Sequence, residues 1–372
     1  MNFGIMFFPG AAQEFTGDKF KLLIDAVKYA DRHGFCCVWT PERHFHEFGG
    51  LFTNPSLTSA ALAMITQRLQ IRAGSLISPL HNPIRIAEEW AFVDNLSGGR
   101  VSISFGAGWN VNDFLFFPER YANRQQVMYE QIEIVKSLWK GESLSLQNSF
   151  GKEVCVNIYP KPVQPELPVW ITSSGNVDTF ISAGAIGANV LTHLIGQDIN
   201  TLSDKIQQYR KSRQRNGFDP LQGIVTLMLH SFVGPDIEAV RAKVRNPFRE
   251  YLRSAVRLEQ MAAIGGGVIS GGHKIDPNDV PDSVMEELLD ITFDRYFQTA
   301  SLMGTPATCS PLIWQLKEIG VNEIACLIDF LDDYDSIMES LEYLNELRAS
   351  FSESSLGAAA QQTMAAFMEE LE

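Results

Sequence analysis

Short runs of β-branched and aromatic residues alternate with longer amphipathic segments along most of the chain. Eight such runs predict strands: 3–8 (FGIMFF), 35–40 (FCCVWT), 69–77 (LQIRAGSLI), 101–106 (VSISFG), 168–173 (PVWITS), 188–193 (ANVLTH), 224–232 (IVTLMLHSF) and 323–329 (EIACLID). The segments between them carry helical spacing. In KFKLLIDAVKYADRHG, Phe20, Leu23, Ile24 and Val27 fall at i, i+3, i+4 and i+7, and Gly34 follows as a C-cap. Eight β-then-α units in series predict parallel strands, and eight is the number that closes a (β/α)8 TIM barrel, an α/β fold.

The chain has 372 residues, whereas such a barrel needs about 250, so roughly a hundred lie outside it. Two stretches read as insertions: 140–168, polar and punctuated by prolines, before strand 5, and about 257–305, containing GGGVISGGHKIDPNDVP, before strand 8. From Ser350 the composition shifts to Ser, Ala, Gln and Glu, which reads as a linker or C-terminal tail (350–372) after one domain of residues 1–349.

A hydrophobic content of 45% supplies a large core. Thirty basic against 44 acidic residues give a net charge of −14, which repels nucleic acid and anionic membrane surfaces and points to small-molecule or protein partners. Five scattered cysteines without CxxC spacing argue against a disulfide framework or a zinc ribbon. The N-terminus has no signal-peptide pattern, and no apolar run reaches the ~20 residues that span a bilayer. A cytoplasmic location is expected.

In parallel βα folds the residues just past the C-terminal strand ends face the active site. VWTPERHFHEF places Glu42, Arg43, His44 and His46 there, flanked by Trp39 and Phe45, a packing unusual for a plain solvated loop. The spacing of His44 and His46 with Glu42 or Glu47 matches no structural zinc pattern, so no metal is expected. His193 and His230 also end strands, six and seven, each readable as catalytic or as an ordinary hydrogen-bonded rim histidine. Gly106 and Gly108 strip side chains from the end of strand 4, leaving either room for a planar ring or a close-packed turn. Val111 rules out a GxGxxG fingerprint. Ser173, Ser174, Gly175 and Asn176 precede a helix and read either as a phosphate cradle or as a common N-cap. A helix dipole adds only ~0.3–1 kcal/mol, so a phosphate would need a fixed cation, for which Arg124 is the candidate, a charged hydrogen bond contributing about 1.5–3 kcal/mol. There is no GxSxG elbow and no P-loop. Cys36 and Cys37 sit inside a strand as core thiols.

Taken together, GIMFFP, VWTPERHF, IRAGSLISPLHNPIRIAEEWAFVDNLSGGRVSISFGAGW, PVWITSSGN and ANVLTHLIG resemble the bacterial luciferase-like monooxygenases over nearly all of 1–348. The branch most similar works within or beside nonribosomal peptide and polyketide assembly lines. The resemblance implies a noncovalent FMN, reduced by a separate reductase, with its ring near Gly74 and Ser75, where the family has a cis peptide, and beside Trp109. It implies a phosphate among Ser173, Ser174, Gly175, Asn176 and Arg124. It further implies a homodimer, a small-molecule or carrier-protein-tethered acyl or aminoacyl substrate, and lids formed by the two insertions. Arg43, His44 and His193 are the catalytic candidates. Luciferase itself carries Glu-His-His-Phe after strand 2. Here the first histidine is Arg43, which cannot act as an acid or base, so proton transfer falls to His44. Gly106 replaces a reactive cysteine, so light emission is not implied. Two other readings of the same barrel are a deazaflavin (F420)-dependent hydride-transfer oxidoreductase and a flavin-binding protein without turnover.

Overall fold

The computed structural model describes residues 1–9, 20–47, 49–266 and 282–352, with backbone alone at 255–266 and 282–283. The chain runs β1 (Asn2–Met6), α1 (Lys21–His33), β2 (Cys37–Thr40), α2 (Pro55–Ala63), β3 (Gln70–Ile77), α3 (Pro83–Ser97), β4 (Val101–Gly106) and α4 (Arg124–Trp139). It continues with β5 (Leu144–Gln147), β6 (Glu153–Val156), β7 (Val169–Thr172), α5 (Val177–Ala185), β8 (Asn189–His193), α6 (Ile199–Arg215) and β9 (Val225–Val233). Last come α7 (Ile237–Gly266), α8 (Asp282–Thr299), β10 (Leu302–Gly304), α9 (Pro306–Glu318), β11 (Glu323–Leu327) and α10 (Tyr334–Ser350).

Strands β1, β2, β3, β4, β7, β8, β9 and β11 pair in that order, all parallel, and β11 returns to β1, which closes an eight-stranded barrel. These are the eight strands expected from the sequence, displaced by no more than two residues at either end. The short β10 extends the far end of β9, pairing with Ser231–Val233. Helix α1 ends at Gly34 in a left-handed conformation, as its spacing predicts, but Phe20 is its exposed N-cap rather than part of the buried face, which is formed by Leu22, Leu23, Ala26, Val27 and Ala30. Capping side chains start the helices at Asn54, Asn82, Asp198 and Asp333.

The register decides what fills the barrel. Trp39 pairs with Arg72 and Arg72 with Ser102, while Glu323 pairs with Thr226, so these side chains share the inner face. Arg72 Nη1 donates to both oxygens of Glu323, at 2.8 and 3.0 Å, and its guanidinium lies 5.0 Å from the Trp39 ring and 4.4 Å from the Trp170 ring. Thr226, Cys36 and Cys37 also donate to Glu323. Desolvation costs this buried charge pair dearly, and the further hydrogen bonds to the carboxylate offset it. Cys37 is buried and Cys36 half-buried, in keeping with core thiols. Toward the C-terminal ends the next inward positions are the small Gly74, Ser104, Thr172 and Ala325 on one part of the wall and the larger Leu191 and Met228 on another.

The 140–168 stretch holds the antiparallel hairpin β5–β6, and it is not a lid. Asp94 near the end of α3 accepts from Val163 and Gln164, Gln164 donates to the Val101 carbonyl at the start of β4, and Trp139 at the end of α4 donates to Gln164. Helix C-termini and strand N-termini lie at the floor of such a barrel, so the hairpin is anchored opposite the mouth. The second expected insertion, about 257–305, holds the end of α7 and all of α8, and α8 is tied back to the earlier part of α7 by ion pairs from Asp290 to Arg245 at 3.0 Å and from Asp294 to Arg241 at 2.6 Å. The expected tail starts later than residue 350, since Ser350 still belongs to α10 and Phe351 is buried against Phe3 and Trp314; 353–372 and the glycine-rich 267–281 lie outside the described residues. Among the described residues no helix is long and apolar enough to cross a membrane.

Candidate active site

The turn after β2 is organised by Glu42. One of its oxygens accepts from Nε2 of His44 at 2.8 Å and from Nε2 of His81 at 2.6 Å, and the other accepts from the Ile77 amide at 2.7 Å. Burial alone would push this carboxyl up, but the two imidazoles and the amide outweigh it and hold Glu42 below the usual carboxylate range. The opposite balance appears at His81, where burial pulls down and Glu42 pulls up harder, leaving the ring above its ordinary value. With Nε2 of His44 committed to Glu42, Nδ1 is the atom left to exchange a proton. The His44 ring packs edge-on against Phe116, with centroids 5.0 Å apart, and beside Phe45.

Arg43 turns inward, only 3% exposed. Its Nη1 reaches Asp113 at 3.2 Å, and its guanidinium lies 4.9 Å from the ring of Trp109, itself 48% exposed at the mouth. Asn110 holds the other Asp113 oxygen at 3.0 Å. Burial lowers Arg43 and raises Asp113, each toward its neutral form, so a single ion pair only partly compensates their desolvation. Nε and Nη2 of Arg43 are buried with no hydrogen-bond partner.

Along the neighbouring strands lies the expected cofactor wall. The Gly74–Ser75 peptide is cis, as the resemblance implies. A Cβ on Gly108 would come within 2.8 Å of Ile77 and 2.9 Å of Phe114, so this glycine serves close packing, the plainer of its two readings. Arg124 spends Nε on the Gly108 carbonyl and Nη1 on that of Tyr121, both at 2.8 Å, which fixes it beside the end of β4. On the adjoining β7, Ser173 is buried, its hydroxyl accepts from the Gly175 amide at 3.3 Å, and the Ser174 side chain is exposed. Asn176 is the N-cap of α5, accepting from Asp178 at 2.9 Å. The cap reading therefore holds for Asn176, and with the Gly175 amide given to Ser173 the exposed Ser174 is the residue of this turn left open to a ligand.

A cation that the sequence did not single out faces this turn. Lys205 of α6 donates to Gln197 at 2.7 Å, and its Nζ lies 3.4 Å from the place a Cβ on Gly175 would occupy. Gln197 in turn donates to the His193 carbonyl at 2.5 Å. An oxyanion group fits here: the Lys205 ammonium lies over a side-chain-free Gly175 with φ of 115°, next in the chain to the exposed Ser174. His193 itself accepts from the Ile195 amide through Nδ1 at 3.1 Å, and burial depresses its pKa to about 4, so it is uncharged at neutral pH. It sits on the rim beside Gln197 and Lys205.

The remaining wall is aromatic. His230 on β9 is buried against Phe248, Tyr251 and Phe330, all edge-on, and burial depresses it to about 3. Phe248 and Tyr251 belong to α7, which thus covers this side of the mouth. Past β11, Asp329 accepts from the Phe8 amide at 2.7 Å, and burial raises its carboxyl to about 7. Tyr251 interacts electrostatically with both Asp329 and Arg43, which links this wall to the turn after β2.

Residues 1–323 match the family model described as luciferase-like monooxygenase. The chain belongs to that family. It is 24% identical over 328 residues to the alkanal monooxygenase alpha chain of Photorhabdus luminescens, covering 87% of this chain and 88% of that one. It is 27% identical over 240 residues to the oxygenase component of a flavin-dependent trigonelline monooxygenase of Acinetobacter baylyi, covering 62% of this chain and 64% of the relative. It matches a Mycobacterium tuberculosis protein at 27% identity over 184 residues, covering 45% of this chain. That match spans 65% of the mycobacterial protein, a little under two thirds of its length. Among solved structures, the monooxygenase RslO1 of Streptomyces bottropensis superposes with a TM-score of 0.75 at 22% identity, over 93% of this chain and 98% of that one, which speaks for the fold.

Proposed function

We propose that this luciferase-like enzyme is a two-component monooxygenase that uses reduced FMN and O2 to oxygenate an acyl or aminoacyl intermediate of natural-product synthesis. The observation that carries the reading is the Glu42–His44 pair, which sets a histidine beside a buried arginine on the rim near the oxyanion-binding turn of β7 and α6. FMN fits the donors present: Ser174 and Lys205 would hold its phosphate over the side-chain-free Gly175, with Arg124 as a further cation, and Trp109 and the Gly74–Ser75 segment would flank its ring. Reduced flavin supplies the electrons that activate O2, and this chain's own residues do the rest. Glu42 fixes the His44 tautomer, so that Nδ1 can take a proton from substrate or return one. Arg43 orients a substrate oxygen, and α7 with its aromatic residues excludes water. His193, uncharged, offers Nε2–H as a neutral donor. A separate reductase, a carrier-protein-tethered substrate and a homodimeric state are parts of the same proposal.

Substrate-dependent oxygen uptake with FMN and a general flavin reductase is the expected result, and its absence across an acyl and aminoacyl panel would sink the reading. A second reading rests on a specific likeness: the chain is 32% identical over 193 residues to an F420-dependent glucose-6-phosphate dehydrogenase of Amycolatopsis mediterranei, covering 48% of this chain and 56% of that one. Reduction of F420 without oxygen consumption would favour it.

A further inference from the structure

The geometry points to a carboxylate-bearing substrate, an organic acid with an apolar body, gripped by the Nε–Nη2 edge of Arg43. This rests on the monooxygenase reading for the reaction but not for the binding step. Nη1 of Arg43 is taken by Asp113 at 3.2 Å, whereas Nε and Nη2 are both buried and both lack a partner. Those two N–H groups form the side-on fork of the guanidinium, parallel donors spaced to meet the two oxygens of one carboxylate. A single buried N–H without a partner is already uncommon, and two on one cation at a mouth call for an acceptor that the protein does not itself supply.

The groups around the fork fit an acid. Trp109 lies 4.9 Å from the guanidinium and offers it a ring face, not a hydrogen-bond acceptor. Tyr251 and His46 interact electrostatically with Arg43, and burial raises the tyrosine and lowers the histidine, so both are uncharged neighbours of it at neutral pH. Among the described residues Asp113 is the carboxylate that interacts with it, and its other oxygen accepts from Asn110. From Tyr251 the aromatic wall of Phe248, His230 and Phe330 continues, offering an apolar body the contacts that a carboxylate alone would lack. For a carrier-tethered acyl unit the gripped carboxylate would be a second one, since the first is consumed in the tether.

Calorimetric titration of the full-length protein, with and without FMN, tests this using 3-phenylpropionate and hexanoate, each against its amide. The acid is expected to bind at least tenfold more tightly than the amide. That preference should vanish in Arg43→Gln and survive in part in Arg43→Lys, while FMN binding, followed by flavin fluorescence, stays within about twofold. Equal binding of acid and amide, no binding of either acid at millimolar concentration, or an acid preference intact in Arg43→Gln would each overturn the proposal. The wild-type acid-to-amide ratio needs no variant to fold. Oxygen uptake measured in parallel separates the two claims: an Arg43-dependent acid preference without oxygen consumption removes the monooxygenase reading and leaves the carboxylate site standing.

Discussion

His81 donates through Nε2 to Glu42 at 2.6 Å, joining the loop after β3 to the turn after β2 across the rim of the barrel. The two residues are 39 positions apart, yet each moves the other's titration: the carboxyl is held down and the imidazole held up. Replacing Glu42 by Gln is expected to release His81 to the influence of burial and lower its midpoint, as read by NMR titration of the ring. A raised histidine stabilises the fold fully below its unfolded value near 6.5 and loses that contribution as pH rises through the folded value. The variant should therefore lack this loss between neutral and alkaline pH in thermal melts.

Turnover should depend on His44 far more than cofactor binding does. His44→Ala is expected to slow product formation by roughly 10²- to 10⁴-fold, the usual contribution of a positioned acid or base. FMN affinity, followed by fluorescence quenching, should change by no more than about twofold. A large loss of flavin binding with turnover preserved at saturating FMN would move His44 to the cofactor.

Lys205 should separate FMN from riboflavin, which differ by the phosphate alone. In Lys205→Met the preference for FMN should fall by about 10- to 100-fold, matching the 1.5–3 kcal/mol of a charged hydrogen bond, with riboflavin binding unchanged. Gly175→Val places a side chain 3.4 Å from that ammonium at a φ of 115°. It should weaken FMN similarly and also cost stability, about 1–3 kcal/mol from the strained backbone.

Asp329 predicts a pH dependence of the opposite kind from that of the buried histidines. Its carboxyl is raised to about 7 by burial, so the folded state keeps a proton that the unfolded state releases near 3.9. Stability should fall as pH rises from about 4 to about 7, by a few kcal/mol at most. Asp329→Asn keeps an oxygen to accept from Phe8 and should flatten that slope in denaturant melts. His193 and His230, depressed to about 4 and about 3, act in reverse, and their contribution is lost as pH falls from about 6.5 through those values.

The Arg72–Glu323 pair should be intolerant of removal on one side only. Glu323→Gln or Arg72→Met leaves the other charge buried, and a loss of about 3–5 kcal/mol in unfolding free energy is expected by chemical denaturation.

The barrel itself was legible because each core strand is a compact β-branched or aromatic run bounded by turn residues, as in VSISFG and EIACLID. The hairpin of β5 and β6 was not, since its exposed, polar LSLQ and EVCV runs carry no burial signal. Reading 140–168 as a lid failed for a topological reason: position in the chain does not disclose that α3 and α4 end at the floor, where Asp94 and Trp139 hold the segment. At the site, Glu42, Arg43 and His44 stood out as a polar cluster on a strand end. His81, Asp113, Lys205, Tyr251 and Asp329 each stand alone in the sequence, on five different connections or helices, and only barrel closure brings them to one rim. The one signal available was that His81 and Asp329 follow strand ends, where a βα fold gathers its chemistry.

The guanidinium wedged between Trp39 and Trp170 acts as a stopper at the bottom of the cylinder. Every visitor to the interior must then use the same doorway, and whichever arrives last stands in the way of whatever came before. On the proposed reading, a coenzyme seated on the β3–β4 wall would have to be in place ahead of its substrate and could not be exchanged until that substrate had gone.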